Sequence, residues 1–298
     1  MTIPPSKTCE HYLNRWTGIA TVVSNQEAAQ ETGRIRLRCE ELARCVRPGQ
    51  FLMLRLCNKT DPLLGRAFAV YDTDPNSGEI EVLYLVVGKM TQLLMKVQPG
   101  EQIAVTGPLG NGWDAIEDDD YSRFGKSQYE TNDPPLHVVM VAGGIGQTPF
   151  HLVAREHQAL NRSAELTLIM GARTKERLCC VDEFQALGVD VRIATEDGSE
   201  GTKGFVTTVL EDVLASTQAR PSQMRIMACG PTPMLKAVWQ VAEKKNLRCW
   251  VSLESAMSCG LGICYGCAIE YLGTDGTWDY RRVCVDGPVF DAWRLKWD

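Results

Sequence analysis

The sequence predicts a multidomain α+β chain: an antiparallel β-barrel first, a doubly wound α/β domain second, and a small C-terminal unit organised by cysteines. Three observations lead there. Across residues 16–106, short apolar stretches are broken by Pro48-Gly49, Asp74-Pro75-Asn76, Ser77-Gly78 and Pro99-Gly100. After Pro134-Pro135 the rhythm changes to apolar runs alternating with amphipathic helical stretches. Near the C-terminus, Cys259, Cys264, Cys267 and Cys284 follow the spacing C-x4-C-x2-C…C. The boundaries implied are 1–113 for the barrel, 114–134 for a polar insertion, 135–247 for the α/β domain and 248–298 for the cysteine unit.

In the barrel, turn chemistry delimits strands at 16–24, 35–39, 51–56, 67–71, 80–87 and 102–106, with one helix at 89–97. Arg66-Ala67-Phe68-Ala69 opens a strand after the loop 61–65. An arginine there can pair with phosphate while an aromatic neighbour lies against a planar ring. Gly88-Lys89-Met90-Thr91 opens the helix, where first-turn amides can meet a second phosphate. Read without a ligand, the same residues are an exposed charge and an ordinary helix cap. The insertion at 117–133 is polar, and a surface loop without chemistry is expected there.

The α/β domain is expected to place strands at 137–141, 166–170, 189–195 and 225–229, followed by helices at 148–160, 182–187, 206–214 and 233–245. Its first strand runs into Ala142-Gly143-Gly144-Ile145-Gly146-Gln147-Thr148-Pro149. Glycines let a pyrophosphate approach backbone N–H groups, and the helix N-terminus adds partial positive charge. A dinucleotide is the expected ligand, with a turn required only for packing as the alternative. Cys229-Gly230-Pro231 ends a later strand, so the two turns should face one crevice. Arg173, Lys175 and Arg177 follow the second strand, where they would meet a 2′-phosphate or else be surface charges.

A last strand, 248–252, leads into the cysteine unit. The spacing of Cys259, Cys264, Cys267 and Cys284 is the plant-type ligand pattern for a [2Fe-2S] cluster. Gly260, Gly262 and Gly266 let the loop wrap closely around such a group. Structural zinc is the alternative, but its ligands usually come as two tight pairs. Trp278, Tyr280, Trp293 and Trp297 surround the last cysteine, as a docking surface or as ordinary packing.

Composition fits an intracellular redox protein. The chain has 298 residues and twelve cysteines, long enough to bury a core without disulfide staples. The first sixteen residues lack an apolar signal region, and no stretch is apolar for long enough to span a bilayer, so a cytoplasmic location is expected. A net charge of -6 argues against nucleic acid or an anionic membrane surface as partner. The other eight cysteines, including adjacent Cys179 and Cys180, show no metal spacing and are expected to be reduced packing residues.

Taken in order, R-A-F-A (66–69), G-K-M-T (88–91), G-P-L-G-N-G-W (107–113), A-G-G-I-G-Q-T-P (142–149) and C-G-P (229–231) resemble the ferredoxin-NADP reductase superfamily. S-L-E-S-A-M-S-C-G-L-G-I-C-Y-G-C (252–267) and V-C-V-D-G-P-V-F (283–290) narrow the resemblance to the electron-transfer subunits of NAD-dependent dihydroorotate dehydrogenases. It covers the chain from about residue 16 onward. Related subunits of glutamate synthase-like or ferredoxin-NADP transhydrogenases share D-G-P but tend to lack the first cluster cysteine, here Cys259.

The resemblance implies an FAD-binding barrel, an NAD-binding α/β domain and a [2Fe-2S] loop facing an FMN-containing catalytic subunit in a heterotetramer. Electrons from dihydroorotate would pass from FMN through the cluster to FAD and leave on NAD+, in pyrimidine biosynthesis. By matched motif, Arg66, Phe68 and Ala69 would hold the flavin ring and its phosphate, with Gly88, Lys89, Met90 and Thr91 at the remaining phosphate. Gly144, Gly146 and Thr148 would line the dinucleotide site, and Cys229 would sit near the nicotinamide. No general acid or base is implied, because hydride moves between two cofactors. Ala69 departs from the Ser or Thr common in the superfamily, and Met90 from a residue usually small. The alternatives are a diaphorase subunit of a hydrogenase or sulfide-linked reductase, and a redox sensor.

Overall fold

The structure is a computed structural model that describes residues 15–57, 59–113, 137–273 and 276–297. The insertion expected at 117–133 therefore lies outside the described residues.

Seven strands form the first sheet: β1 (Trp16–Ala29), β2 (Thr32–Arg38), β3 (Phe51–Leu56), β4 (Arg66–Ala69), β5 (Asp72–Asp74), β6 (Glu79–Leu85) and β7 (Gln102–Leu109). Their order is β4-β3-β7-β1-β2-β6-β5, antiparallel throughout. Period-two patterning orients them. In β2, Ile35 and Leu37 are buried while Arg36 and Arg38 face solvent. Ile35, Leu37, Leu52, Leu54, Ile80, Val82, Ile103 and Val105 fill the interior.

Closure comes from one bent segment. β4 and β5 are consecutive in sequence yet stand at opposite edges of the sheet. Between them, Val70 N–H donates to the Gln50 carbonyl at 3.1 Å and Tyr71 N–H to the Glu81 carbonyl at 2.8 Å. Residues 66–74 thus pair with β3 at one end and β6 at the other. β1 runs past the expected 16–24 because two irregularities, between Val22 and Ser24 and between Glu27 and Ala29, interrupt the alternation without ending the strand.

The barrel has a second helix that the sequence reading did not contain. α1 (Glu40–Cys45) precedes α2 (Lys89–Leu94), the helix expected at 89–97. Only Leu42 and Ala43 of α1 are buried, too few apolar positions to reveal a period.

The second sheet takes β8 (His137–Gly143), β9 (Glu165–Ala172), β10 (Asp190–Thr195), β11 (Thr202–Lys203), β12 (Met224–Cys229), β13 (Arg248–Ser252) and β16 (Val289–Asp291) in the order β11-β10-β9-β8-β12-β13-β16. All pairs are parallel except β13 with β16. The helices are α3 (His151–Ala159), α4 (Val181–Ala186), α5 (Val206–Ser216) and α6 (Thr232–Lys244). Val139 and Val141 of β8 pack with Val209 and Leu210 of α5 and Leu235 and Val238 of α6. Alternate residues Val138, Met140 and Ala142 face Phe150, Ala154 and Phe184, joined by Tyr71, Leu83 and Trp113 from the barrel. Helices therefore cover both faces, and the barrel abuts one of them. The helix expected from 148 begins instead as a 3-10 segment, Gly144–Phe150, which passes into α3.

β14 (Ala268–Leu272) and β15 (Trp278–Arg282) make a separate hairpin. Since β13 and β16 belong to the large sheet, the segment 248–298 shares its framework with the α/β domain. The tail aromatics divide. Trp297 stacks on Trp239 at 5.7 Å, and Trp293 Nε1 donates to the Leu247 carbonyl at 3.1 Å. Trp278 and Tyr280 remain 50% and 63% exposed. Among the described residues, no helix is long and apolar enough to cross a membrane.

Candidate cofactor cleft and cluster loop

Strand order decides where a ligand can enter. β9 and β12 flank β8 on opposite sides, so their connections leave in opposite directions and open a crevice beyond the carboxyl ends of β8 and β12. The two glycine turns meet there. Gly146 is fixed by close approach: a Cβ at that position would lie 2.0 Å from the Cys229 carbonyl oxygen. Gly144 is fixed by its φ of 56° and faces open space. Thr148 is buried and its hydroxyl donates to the Ile145 carbonyl at 2.7 Å, so it braces the turn. Gln147 Nε2 donates to Cys179 Sγ at 3.0 Å, a link with no sequence signal.

In front of this crevice lies a cleft of about 460 Å3. The barrel contributes Arg66 to Ala69 and Gly88 to Thr91, the α/β domain contributes Thr148 and Cys229, and the end of β13 with the chain beyond it contributes Ser252 to Met257. Gly144 and Gly146 border the crevice from the turn itself. Residues separated by nearly two hundred positions thus line one hollow.

Arg66 is exposed, and among the described residues its guanidinium donates only to the carbonyls of Leu64 and Gly65, at 2.9 and 3.0 Å. Its charge is available to an anion. Phe68 meets Tyr84 edge to face at 6.2 Å, which sets the tilt of the ring. Ala69 pairs with Phe51 in the β3–β4 register and brings no hydroxyl to the cleft. Lys89 is paired with Asp61 at the cleft mouth.

The four residues of G-K-M-T do different work. Thr91 Oγ1 accepts from Val87 N–H at 3.1 Å and Gly88 N–H at 3.2 Å, so its hydroxyl caps α2. Met90 is buried in the barrel core, leaving only its main chain for the cleft. The first-turn amides of Lys89 and Met90 have no intrahelical acceptor and are free to meet an anion.

Cys229 is buried, and burial, reinforced by Glu254, pushes its thiol up to about 12. It stays neutral at physiological pH. Burial likewise raises Glu254, a cleft residue the sequence reading passed over. A larger hollow, about 890 Å3, lies at the amino ends of β8, β9 and β10 and is lined by His137, Glu165 and Asp190. It is the wrong end of an open sheet for a dinucleotide, and none of the motif residues reaches it.

The cluster loop continues from the cleft. Two iron atoms sharing four thiolates need two each, so pairs of sulfurs are the geometry to look for. Cys267 Sγ lies 3.3 Å from Cys284 Sγ, and the Cys259 and Cys264 side chains are hydrogen-bonded. This spatial pairing is what a two-iron cluster needs.

Backbone N–H groups supply the rest of the fit. Burial alone would raise Cys259, but amides of Cys264, Leu261 and Ile263 bring it down to about 6, with Leu261 N–H 3.3 Å from the sulfur. A thiolate is favoured there. Gly260 and Gly262 have φ of 67° and 77°, and side chains on them would strike Met53 and Val285, each at 2.6 Å. Cys264 is exposed at the rim beside Ile263 and Tyr265, which are 76% and 60% exposed.

These three regions match known families separately. Residues 20–113 match an oxidoreductase FAD-binding domain, 140–240 an oxidoreductase NAD-binding domain, and 254–296 the iron-sulfur cluster binding domain of dihydroorotate dehydrogenase B. Over the whole chain, the dihydroorotate dehydrogenase B (NAD(+)) electron transfer subunit of Caldanaerobacter subterraneus subsp. tengcongensis is 35% identical across 278 residues, covering 93% of this chain and 98% of that protein. The chain belongs to this family of electron transfer subunits.

Its counterpart from Fusobacterium nucleatum subsp. nucleatum is 32% identical over 274 residues, 91% of this chain and 95% of that one. The family fold is ferredoxin-NADP reductase-like. A chain from a study of the NADH-dependent reduced ferredoxin-NADP oxidoreductase superposes with a TM-score of 0.75 at 28% identity, covering 95% of this chain and 91% of that chain. The ferredoxin NADP+ reductase of Neisseria gonorrhoeae, with bound FAD and NADP, shares the fold at a TM-score of 0.62 and 19% identity over 81% of this chain and 93% of its own.

Proposed function

We propose that this chain is the electron-transfer subunit of an NAD-dependent dihydroorotate dehydrogenase in pyrimidine biosynthesis. It passes electrons from the FMN of a catalytic subunit, through its [2Fe-2S] cluster and FAD, to NAD+, in a heterotetramer with two copies of each subunit. The observation that carries this reading is the single cleft formed by Arg66–Ala69, Gly88–Thr91, Thr148, Cys229 and the segment 252–257 that runs into the cluster loop.

Bound there, FAD would supply one-electron exchange with a cluster and hydride exchange with a nicotinamide. The chain's own residues bind and orient. Arg66 would hold a pyrophosphate oxygen, and the amides of Lys89 and Met90 another. Phe68 and Ala69 would line the ring, and the turn bearing Gly144 and Gly146 would admit the dinucleotide. Neutral Cys229 brings an uncharged surface to the place where hydride crosses. Cys259 with Cys264, and Cys267 with Cys284, would each hold one iron. The exposed rim of Ile263, Cys264 and Tyr265 would face the FMN subunit.

The test is dihydroorotate-dependent NAD+ reduction by the complex purified anaerobically from its native cells, with NADH-to-dye turnover as internal control. Activity that disappears when the co-purifying subunit is stripped supports the assignment. Dye turnover without response to dihydroorotate, with a partner retained, would favour a diaphorase subunit of another assembly. The likeness to a chain of a ferredoxin-NADP oxidoreductase makes that the second reading.

A further inference from the structure

In a sheet of this type the turn after the first strand takes the pyrophosphate, and the carboxyl end of the neighbouring second strand meets the adenosine ribose. An acidic residue there suits a 2′-hydroxyl and a basic one a 2′-phosphate. Here the second strand is β9, and Arg173, Lys175 and Arg177 follow it. Its three cations give it a basic character that suits either a 2′-phosphate or a solvated surface. The fold reverses that character.

The loop after β10, Glu196-Asp197-Gly198-Ser199-Glu200, is hydrogen-bonded onto the basic loop. Glu196 N–H donates to the Ala172 carbonyl at 3.1 Å, Asp197 N–H to the Arg173 carbonyl at 3.3 Å, and Lys175 N–H to Ser199 Oγ at 2.8 Å. Glu200 then pairs with Lys175 at 2.8 Å. From the other side, the β1–β2 hairpin of the barrel sends Glu31 to Arg177 at 2.7 Å, and Gln30 N–H donates to the Glu176 carbonyl at 2.9 Å. Two of the three cations thus have carboxylate partners, and Glu176, Glu196 and Asp197 add further negative charge to the same wall.

We propose that Glu200 and Glu31 are specificity-determining residues that make this wall select NAD(H) over NADP(H). The inference rests on the reading that the chain exchanges hydride with a nicotinamide dinucleotide. A 2′-phosphate arriving at this wall must displace both carboxylates from Lys175 and Arg177 and remain beside them. A 2′-hydroxyl displaces neither. Since one exposed pair is worth up to about fivefold in an equilibrium, two acting independently give a discrimination of up to about 25-fold. Acidic residues contributed by a neighbouring loop and by a different domain do the work that an acid in the β9 loop would do.

The experiment compares kcat/KM for NADH and NADPH, with ferricyanide as acceptor, in holoenzyme of the wild type, of E200Q and of the E31Q/E200Q double variant. The wild type should favour NADH. The ratio should move toward NADPH by up to about fivefold in E200Q and further, up to about 25-fold, in the double variant. Both carboxylates are on exposed side chains, and flavin absorbance with an unchanged melting temperature verifies each fold. Variants that fold and keep the wild-type ratio would overturn the inference while leaving the electron-transfer reading intact, and a wild type that prefers NADPH would overturn the inference together with the assignment of NAD+ as acceptor. A wild type that holds FAD yet turns over neither nucleotide would overturn both.

Discussion

Asn111 and Val289 hold each other by two hydrogen bonds. Val289 N–H donates to Asn111 Oδ1 at 3.1 Å, and Asn111 Nδ2 donates to the Val289 carbonyl at 2.9 Å. Asn111 N–H also reaches the Gly287 carbonyl at 2.7 Å. The motif G-P-L-G-N-G-W, one of those behind the family resemblance, thereby ties the end of the barrel to the strand that follows Cys284.

Replacing Asn111 with alanine should therefore destabilise the protein by about 2–4 kcal/mol, since it removes both bonds and leaves buried backbone groups unpaired. Thermal melting measures the loss. Cluster absorbance should also bleach faster under chelator than in wild type, because Cys284 lies five residues before Val289. Unchanged melting and bleaching would show that the junction contributes neither to stability nor to cluster retention.

Arg66 has no carboxylate partner among the described residues, so its deletion should affect ligand rather than fold. R66A should lower FAD affinity by about 10- to 100-fold, the range for losing one charge-assisted phosphate contact, with little change in apoprotein melting. Flavin fluorescence on dilution reports the dissociation constant. R66K should recover only part of it, having lost the forked geometry.

Gly146 offers a steric test of the crevice. A Cβ only 2.0 Å from the Cys229 carbonyl oxygen forces the turn and the end of β12 apart. G146A should lose nicotinamide turnover by more than about 10-fold while the barrel still takes up FAD, because a displacement of about 1 Å is costly at a site that positions two reactants. Loss of flavin together with turnover would indicate general unfolding instead.

Asp291 gives a pH dependence of definite sign. Burial raises its carboxyl from 3.8 to about 6, against the pull of Trp293 N–H and of Arg294 and Arg248. Between those values the folded chain holds a proton that the unfolded chain has released. Its contribution to stability is therefore present at low pH and is lost as pH rises through about 6. D291N keeps an acceptor for Trp293 N–H and removes the titration. Relative to wild type it should gain roughly 2–3 kcal/mol on going from pH 4 to pH 7. Denaturant titrations at the two pH values check this; a parallel shift at both would refute it.

How much of this was legible depends on the range of the interaction. Alternation in Ile35 and Leu37, the glycine turn after β8 and the cysteine spacing are local patterns, and each predicted its element. The cleft was legible as a set of motifs, which the fold brought together. What escaped was set by contacts distant in sequence. α1 is too short to show a period, and β5 and β16 are three-residue strands defined only by their partners. Local chemistry also redistributed roles inside a motif: in G-K-M-T the threonine hydroxyl caps the helix and the methionine side chain turns inward. Glu254 carried no spacing signal because its altered acidity arises from burial.

The bent segment 66–74 also orders events in time. A stretch that must satisfy β3 on one side and β6 on the other cannot settle until both edges of the sheet exist, and pairing of such distant strands comes at a loop-closure cost that local structure does not offset. Arg66 and Phe68 sit on that stretch. With Arg66 and Phe68 as the proposed flavin contacts, that site is a keystone: its two sides are expected to come together only when the barrel seals, so FAD uptake should follow barrel closure rather than precede it.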